Sequence, residues 1–242
     1  MRVIPALIGL LLMTTCGSRV ALADRWGQPM GFELIPKSGS KLFSSDGSAI
    51  LGDGDIQSNT PTILEQFLID NSIPPKTEIH LNSRGGDLEA GLKMGRIIRA
   101  HGLHTWVGGY DQYSHRSFDQ MSKSTGRDTY LAYCISSCTL AFLGGIERRR
   151  EYRGIYAVHQ AKLECEDPNI LQNRLHTHVP TCPTVASAMI TMQSILGKVV
   201  AYVSEMGVDS RFVVEMTQAD PDNINRLDND KMLSYKIITR GP

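Results

Sequence analysis

Apolar positions change their spacing several times along this 242-residue chain, and each change marks an element. Ser48 to Ile56, SAILGDGDI, reads as a strand and a turn. TPTILEQFLIDN follows with Ile63, Leu64, Phe67 and Leu68 at helical spacing, Thr60 as N-cap and Pro61 at the first helical position; Pro74-Pro75 stops it. TEIHLNS is a strand, SRGG a turn, and DLEAGLKMGRIIRAHG a second helix, with Leu88, Leu92, Ile97 and Ile98 near helical spacing and Gly102 past its end. HTWVGG and GIYAVHQ read as further strands with the short apolar helix TLAFLGG between them. VASAMITMQSILGKVVAYVSEMG is a long amphipathic helix ended by Gly207. The C-terminal stretch carries a Pro-Asp turn, a short helix around Asp228 to Leu233 and a final strand, YKIIT. Strands alternating with helices predict parallel strands joined by right-handed crossovers, so the fold class is α/β.

The remaining stretches lack such periodicity. Residues 24–47 are rich in Gly, Ser and Lys and form an irregular or short-stranded lead-in to a domain over 48–242. DQYSHRSFDQMSKSTGRDTY is polar and aperiodic, a surface excursion. The run Arg148, Arg149, Arg150 reads most simply as a solvated turn, with a contact between subunits as the alternative.

The first 23 residues stand apart from this pattern. Arg2, the apolar run Val3 to Met13 and Ala21-Leu22-Ala23 make a charged start, a short apolar core and an A-x-A cleavage site, the pattern of a secretory signal peptide. Cleavage near Ala23 implies a periplasmic or secreted protein. Cys16 in MTTCGS raises a rival reading, a lipid anchor, but Met13, Thr14 and Thr15 make a poor attachment box. No later segment reads as the roughly 20 apolar residues of a membrane span.

Without residues 1–23, which hold Arg2 and Arg19, the 25 basic residues fall to 23 against 25 acidic ones. A nearly neutral chain without a basic stripe argues against nucleic-acid binding. Cys134, Cys138, Cys165 and Cys182 then remain, and an even number in an exported chain points to disulfides. Bridging Cys165 to Cys182, 17 positions apart, closes a further loop. Cys134 and Cys138, four apart, sit too far apart for good disulfide geometry on a regular helix, and a sharp turn between them removes the objection. Cys165, His176, His178 and Cys182 are also of zinc-binding type, yet their spacing matches no standard site, so no metal is expected. His80, His101, His104 and His115 carry no motif and read as surface or satisfied core residues.

Three segments carry candidate chemistry. NSRGG, residues 82–86, lies where a strand gives way to a helix; paired glycines there adopt backbone conformations closed to other residues and turn N–H groups outward, able to hold an oxyanion. YCISSCT, residues 133–139, places Ser136 at the start of the apolar helix, where a serine is ordinarily a cap but where a hydroxyl also meets the positive end of the helix dipole. YAVHQ ends an apolar strand with His159, a core histidine or a general base able to take a serine proton.

The order NSRGGDLEAGLKMGRII, CISSCTLAFLGG, YAVHQ resembles the proteolytic subunit of the Clp protease and its exported relatives in the ClpP/crotonase superfamily. In that family an N-S-P-G-G turn precedes a nucleophile in S-x-G-[TA] and a strand closed by H-Q some two dozen residues later; here 23 residues separate Ser136 from His159. The resemblance covers residues 48 to 240 and implies a ClpP/crotonase-like fold of stacked ββα units without a cofactor. It implies serine peptidase chemistry with Ser136 as nucleophile, His159 as base, and the N–H groups of Gly85 and Ser137 as oxyanion hole; Ser137 is the competing nucleophile. The family's acid falls in QADPDNINRLDND, at Asp222 first, Asp220 next, or Asn223 as a neutral possibility. Arg84 replaces the usual proline and Cys138 the usual glycine. The resemblance also implies a homo-oligomer acting on peptides or unfolded chains. The alternatives are a ClpP-fold binding or assembly protein without turnover, and an acyl-transferring enzyme of the same superfamily.

Overall fold

The computed structural model describes residues 27–36, 48–108, 110–111, 116–117, 132–151, 154–161, 185–220 and 223–240. Residues 1–23, read above as a signal peptide, with Cys16, and also His115, the 165–182 stretch with His176 and His178, and Asp222 lie outside the described residues.

A five-stranded sheet runs in the order β1 (Gly31–Pro36), β2 (Ser48–Asp53), β3 (Glu78–Asn82), β4 (His104–Val107) and β8 (Arg148–Arg150). Strand β1 is antiparallel to β2, and the other three pairings are parallel. Helix α1 (Thr60–Asp70) connects β2 to β3, and α2 (Leu88–Ala100) connects β3 to β4, the alternation read from the sequence. Within the 24–47 stretch, Gly31–Pro36 is thus an ordered strand of the sheet. Tyr110–Asp111 (β5) and Arg116–Ser117 (β6) pair as a minimal ribbon. The second sheet has the order β10 (Asn225–Arg226), β9 (Ile155–Val158) and β7 (Tyr133–Ile135), with β7 and β9 parallel. The remaining helices are α3 (Ser137–Leu143), α4 (Val185–Glu205), α5 (Arg211–Gln218) and α6 (Asn229–Ser234).

Burial follows the pattern a covered parallel sheet demands, near-continuous rather than alternating. Five of the six residues of β2 and all four of β9 are buried. Helix α3 is small and mostly apolar because it lies inside; all seven of its residues, Ser137 and Thr139 included, are buried, packed against α2, β4, β7 and β9. Thr60 is the first residue of α1 rather than its cap; Asn59 precedes the helix, and Thr60 Oγ1 accepts the Gln57 N–H at 2.8 Å.

Two readings of the C-terminal half are corrected. The run 148–150 is no solvated turn but strand β8, and Arg148 is 4% exposed. Its guanidinium donates to the carbonyls of Ile237 (2.8 Å), Lys236 (2.7 Å), Gly145 (3.0 Å) and Leu143 (3.3 Å). Burial pulls its pKa down to about 10, which leaves it charged at neutral pH. Those bonds also explain why YKIIT is not a strand. Ile237 and Ile238 are buried, but the carbonyls of Lys236 and Ile237 are claimed by Arg148, and the Thr239 N–H and hydroxyl meet the Arg148 backbone. Arg148→Met is therefore expected to lower unfolding free energy by about 3 kcal/mol, since an apolar side chain strands several buried carbonyls. A denaturant midpoint implying a loss below about 1 kcal/mol would refute this anchoring role.

Beside it, His80, Trp106 and Arg149 sit in register across three strands. The rings of His80 and Trp106 stack at 5.4 Å between centroids, and the Arg149 guanidinium lies 5.1 Å from the Trp106 ring. His101 Nε2 contacts Glu65 at 3.1 Å, and His104 Nδ1 accepts the Glu147 N–H at 3.0 Å while burial lowers its pKa.

Helix α4 departs from the expected single apolar face. Met189, Ile190, Leu196 and Val200 are all exposed, and among its described side chains only Val199, Tyr202 and Val203 near its end are buried. Within Ala186–Glu205 an 18-residue window has a mean hydropathy of 1.3 with 17% of it buried, so among the described residues one helix is long and apolar enough to cross a membrane, as the core helices of soluble proteins also can be.

Candidate active site

The site begins where the two sheets meet. At the end of β3 the Ser83 N–H donates to the Tyr133 carbonyl at 2.6 Å, and the Ile135 N–H donates to the Ser83 carbonyl at 3.0 Å. Asn82 reinforces the seam; its Oδ1 accepts the Tyr133 N–H at 3.0 Å, and its amide nitrogen donates to Asp53 at 3.0 Å. The asparagine and serine of NSRGG therefore deliver the turn onto YCISSCT.

Both glycines of that turn are required. Gly85 has φ +100°, and a Cβ there would stand 2.7 Å from the Ile135 carbonyl oxygen, 2.7 Å from Ser136 Cβ and 3.0 Å from the Ser137 nitrogen. Gly86 has φ +135°, and a Cβ would stand 2.1 Å from the Ile56 carbonyl oxygen. Asp87 then caps α2, accepting the Ala90 N–H at 2.8 Å, which fixes where the turn ends.

Ser136 is the first residue beyond β7, with φ 58° and ψ −128°. An L-residue with a side chain occupies that region at a cost of about 1–3 kcal/mol, and such strain collects at functional sites. The ordinary role of a serine here fails, because its hydroxyl makes no capping hydrogen bond. What holds the elbow is backbone. The Ser136 N–H donates to the Ala157 carbonyl at 3.1 Å, and its carbonyl accepts from Thr139 N at 2.9 Å and Thr139 Oγ1 at 2.6 Å. Ser137 differs sharply from its neighbour. It is 2% exposed, inside the first turn of α3, and its Oγ has no hydrogen-bond partner.

His159 is the first residue beyond β9, the parallel neighbour of β7. Ser136 and His159 thus follow the same end of two neighbouring parallel strands, whose backbones run about 4.8 Å apart. His159 is half-buried, and its Nδ1 lies 2.7 Å from the Gln160 carbonyl. A carbonyl only accepts, so the neutral ring carries its proton on Nδ1 and leaves Nε2 as the acceptor. That is the tautomer a general base needs.

The other expected members are placed unevenly. The Gly85 N–H donates to Ser83 Oγ at 3.0 Å, so this expected oxyanion donor is already engaged by the protein's own hydroxyl. The Ser137 N–H, in the first turn of α3, has no intrahelical acceptor. For the third member, β10 runs antiparallel to β9 with Asn225 opposite Val158, so the chain just before it passes the His159 end. Asp220 and Asn223 are exposed there, joined by a backbone hydrogen bond of 3.2 Å. Arg84 is exposed at the tip of the turn.

Of two further features, the first was left open by the sequence and the second left little trace there. Cys134 and Cys138 form a disulfide with Cα atoms 5.1 Å apart, and both are fully buried. The helix objection does not apply, because Cys134 ends in β7 and Cys138 lies beyond the elbow in α3. A cleft of about 270 Å³ opens beside His159, lined by Leu88 of α2, Met192, Ile195 and Val199 of α4, and Val213 and Met216 of α5. Its apolar walls come from three helices, of which α2 lies about a hundred positions before the other two, and only the apolar positions of α2 and α4 were legible in the sequence; α5 was not read as a helix.

A mixed α/β fold in which two sheets meet at a serine elbow, a double-glycine turn and a histidine is the class of molecule this is. No protein-family model matches the chain, and no curated protein sequence is similar to it. Among solved structures it is similar to a mutant of the 1510-N membrane-bound stomatin-specific protease, with 14% identity over 78% of this chain and 75% of that one and a TM-score of 0.51. A likeness at that identity shows the fold alone, an α/β arrangement shared with a protease.

Proposed function

We propose that this chain is an exported hydrolase of the ClpP/crotonase type that cleaves peptide bonds through Ser136. The observation that carries the reading is the elbow itself: a serine in a strained conformation, released from capping, at the same strand edge as a histidine of the right tautomer. In the proposed reaction Ser136 Oγ attacks the substrate carbonyl and its proton passes to His159 Nε2. The Ser137 N–H holds the developing oxyanion, and the Gly85 N–H joins it by exchanging Ser83 Oγ for the substrate oxygen. That exchange costs about 1 kcal/mol, the net worth of a neutral hydrogen bond. His159 then returns the proton to the leaving amine. The Gln160 carbonyl orients the ring, and Asp222, with Asp220 or Asn223 as substitutes, is the group proposed to stabilise its charged form. The cleft beside His159 suits an apolar side chain of the substrate, and the exposed residues of α4 are the surface on which a homo-oligomer would form.

A buried disulfide beside the nucleophile suits an oxidising compartment, in line with export. The second reading, a binding or assembly protein without turnover, is favoured by one observation, the Gly85 N–H already satisfied by Ser83.

A fluorophosphonate probe separates the two. The proposal expects covalent labelling of the wild type on the peptide containing Ser136, and labelling about 100-fold slower in His159→Ala, the lower range for loss of a general base. Absence of labelling in the folded wild type would remove the hydrolase reading.

A further inference from the structure

We propose that the Cys134–Cys138 disulfide is a positioning pair, holding Ser136 in its left-handed conformation so that the hydroxyl meets the substrate carbonyl. The inference rests on the reading of Ser136 as nucleophile and adds a function for two residues that the chemistry alone does not need. The bridge closes only five residues, Cys134 to Cys138, with Ser136 at the centre. A strand continued through these residues would carry the two Cα atoms about 13 Å apart, and an uninterrupted helix would leave the Cβ atoms about 5–6 Å apart, beyond the reach of a good disulfide. At 5.1 Å between Cα atoms, the bridge favours a chain that turns sharply at Ser136 over either regular form.

The small ring also limits what else the bond can do. In the chain-entropy model a loop this short lies at the low end of disulfide stabilisation, so the constraint acts where it stands rather than on the whole fold. Neither sulfur reaches solvent, and Cys138 packs in the core with Leu140 and Phe142 behind the elbow. The backbone hydrogen bonds to Ala157 and Thr139 fasten the two sides of Ser136. The disulfide ties the strand before it to the helix after it, so a rotation of Ser136 back to negative φ must move both together.

The test joins a reactivity arm to an arm independent of activity. In the full chain, Cys134→Ala/Cys138→Ala is expected to stay folded and to label with the fluorophosphonate probe at least 10-fold more slowly than wild type. Thermal melts are then compared with and without Ser136→Gly, since glycine tolerates positive φ without strain. With Ser136 present, removing the bridge lets the elbow relax and returns part of its strain. With glycine there is nothing to return, so removing the bridge should lower Tm by a few degrees more. Identical Tm losses in the two backgrounds, or labelling within two-fold of wild type, would overturn the positioning role. If the wild type never labels but the Tm losses differ as expected, the hydrolase reading fails and the clamp stands. Should the double alanine variant not fold, Cys134→Val/Cys138→Ala keeps more of the core volume and carries the same comparison.

Discussion

Ser136→Ala is expected to abolish the proposed hydrolysis and probe labelling, with a fall of roughly 10,000-fold or more, while the fold survives. The size follows from the role: removing a nucleophile removes the covalent route, and what remains is whatever the oxyanion donors and bound substrate achieve alone. The fold survives because the Ser136 hydroxyl makes no capping bond and the elbow is held by main-chain groups that alanine retains. Ser137→Ala provides the contrast. Its Oγ is buried without a partner, so the substitution removes an unsatisfied polar atom and should leave labelling within a few-fold of wild type. Labelling that persists in Ser136→Ala and disappears in Ser137→Ala would move the nucleophile by one residue. Intact mass after probe treatment reads both outcomes.

Gly85→Ala strikes both the fold and the site. Alanine must adopt φ +100°, at about 1–3 kcal/mol, and its methyl must enter a space bounded at 2.7 Å by the Ile135 carbonyl and Ser136 Cβ and at 3.0 Å by the Ser137 nitrogen. Those neighbours are main chain or nearly so, and they cannot swing aside; overpacking of this kind costs a further 1–3 kcal/mol or about that. The expected loss is about 4 kcal/mol, or roughly 12 °C in Tm for a chain this size. Labelling should vanish as well, because the methyl displaces the Ser137 N–H from its place beside the hydroxyl. A variant that melts within about 3 °C of wild type would show that the two sheets meet less tightly than the distances imply.

The alternation of strands and helices was legible because apolar spacing reports which face an element buries. The same signal placed α2 after the double glycine and α3 after the serines within a residue or two. It failed where satisfaction comes from far away. Arg148 looks like part of a solvated basic run, yet its partners include carbonyls 88 and 89 positions later, and nothing local distinguishes it from Arg149. The tail YKIIT looked like a strand for the same reason, because apolar residues that pack do not reveal whether their carbonyls face a ladder or a guanidinium.

At the site, glycines and small hydroxyl residues marked the turn and the elbow because close approach demands them. The bond from His159 to the Gln160 carbonyl and the blocking of the Gly85 N–H by Ser83 left no trace, since backbone partners are not encoded by residue type. Asp222 remains an expectation from the family pattern. The Cys134–Cys138 pair was readable only conditionally, because the spacing forbids it on a helix and permits it at a bend, and the bend was itself an inference.

The seam between the sheets joins residues about fifty positions apart: Asn82 and Ser83 on one side, Tyr133 and Ile135 on the other. Contacts of that separation are slow to find and come late in folding. On the proposed function, a chain still collapsing would carry an inert alcohol, and cutting would begin only when the molecule is finished.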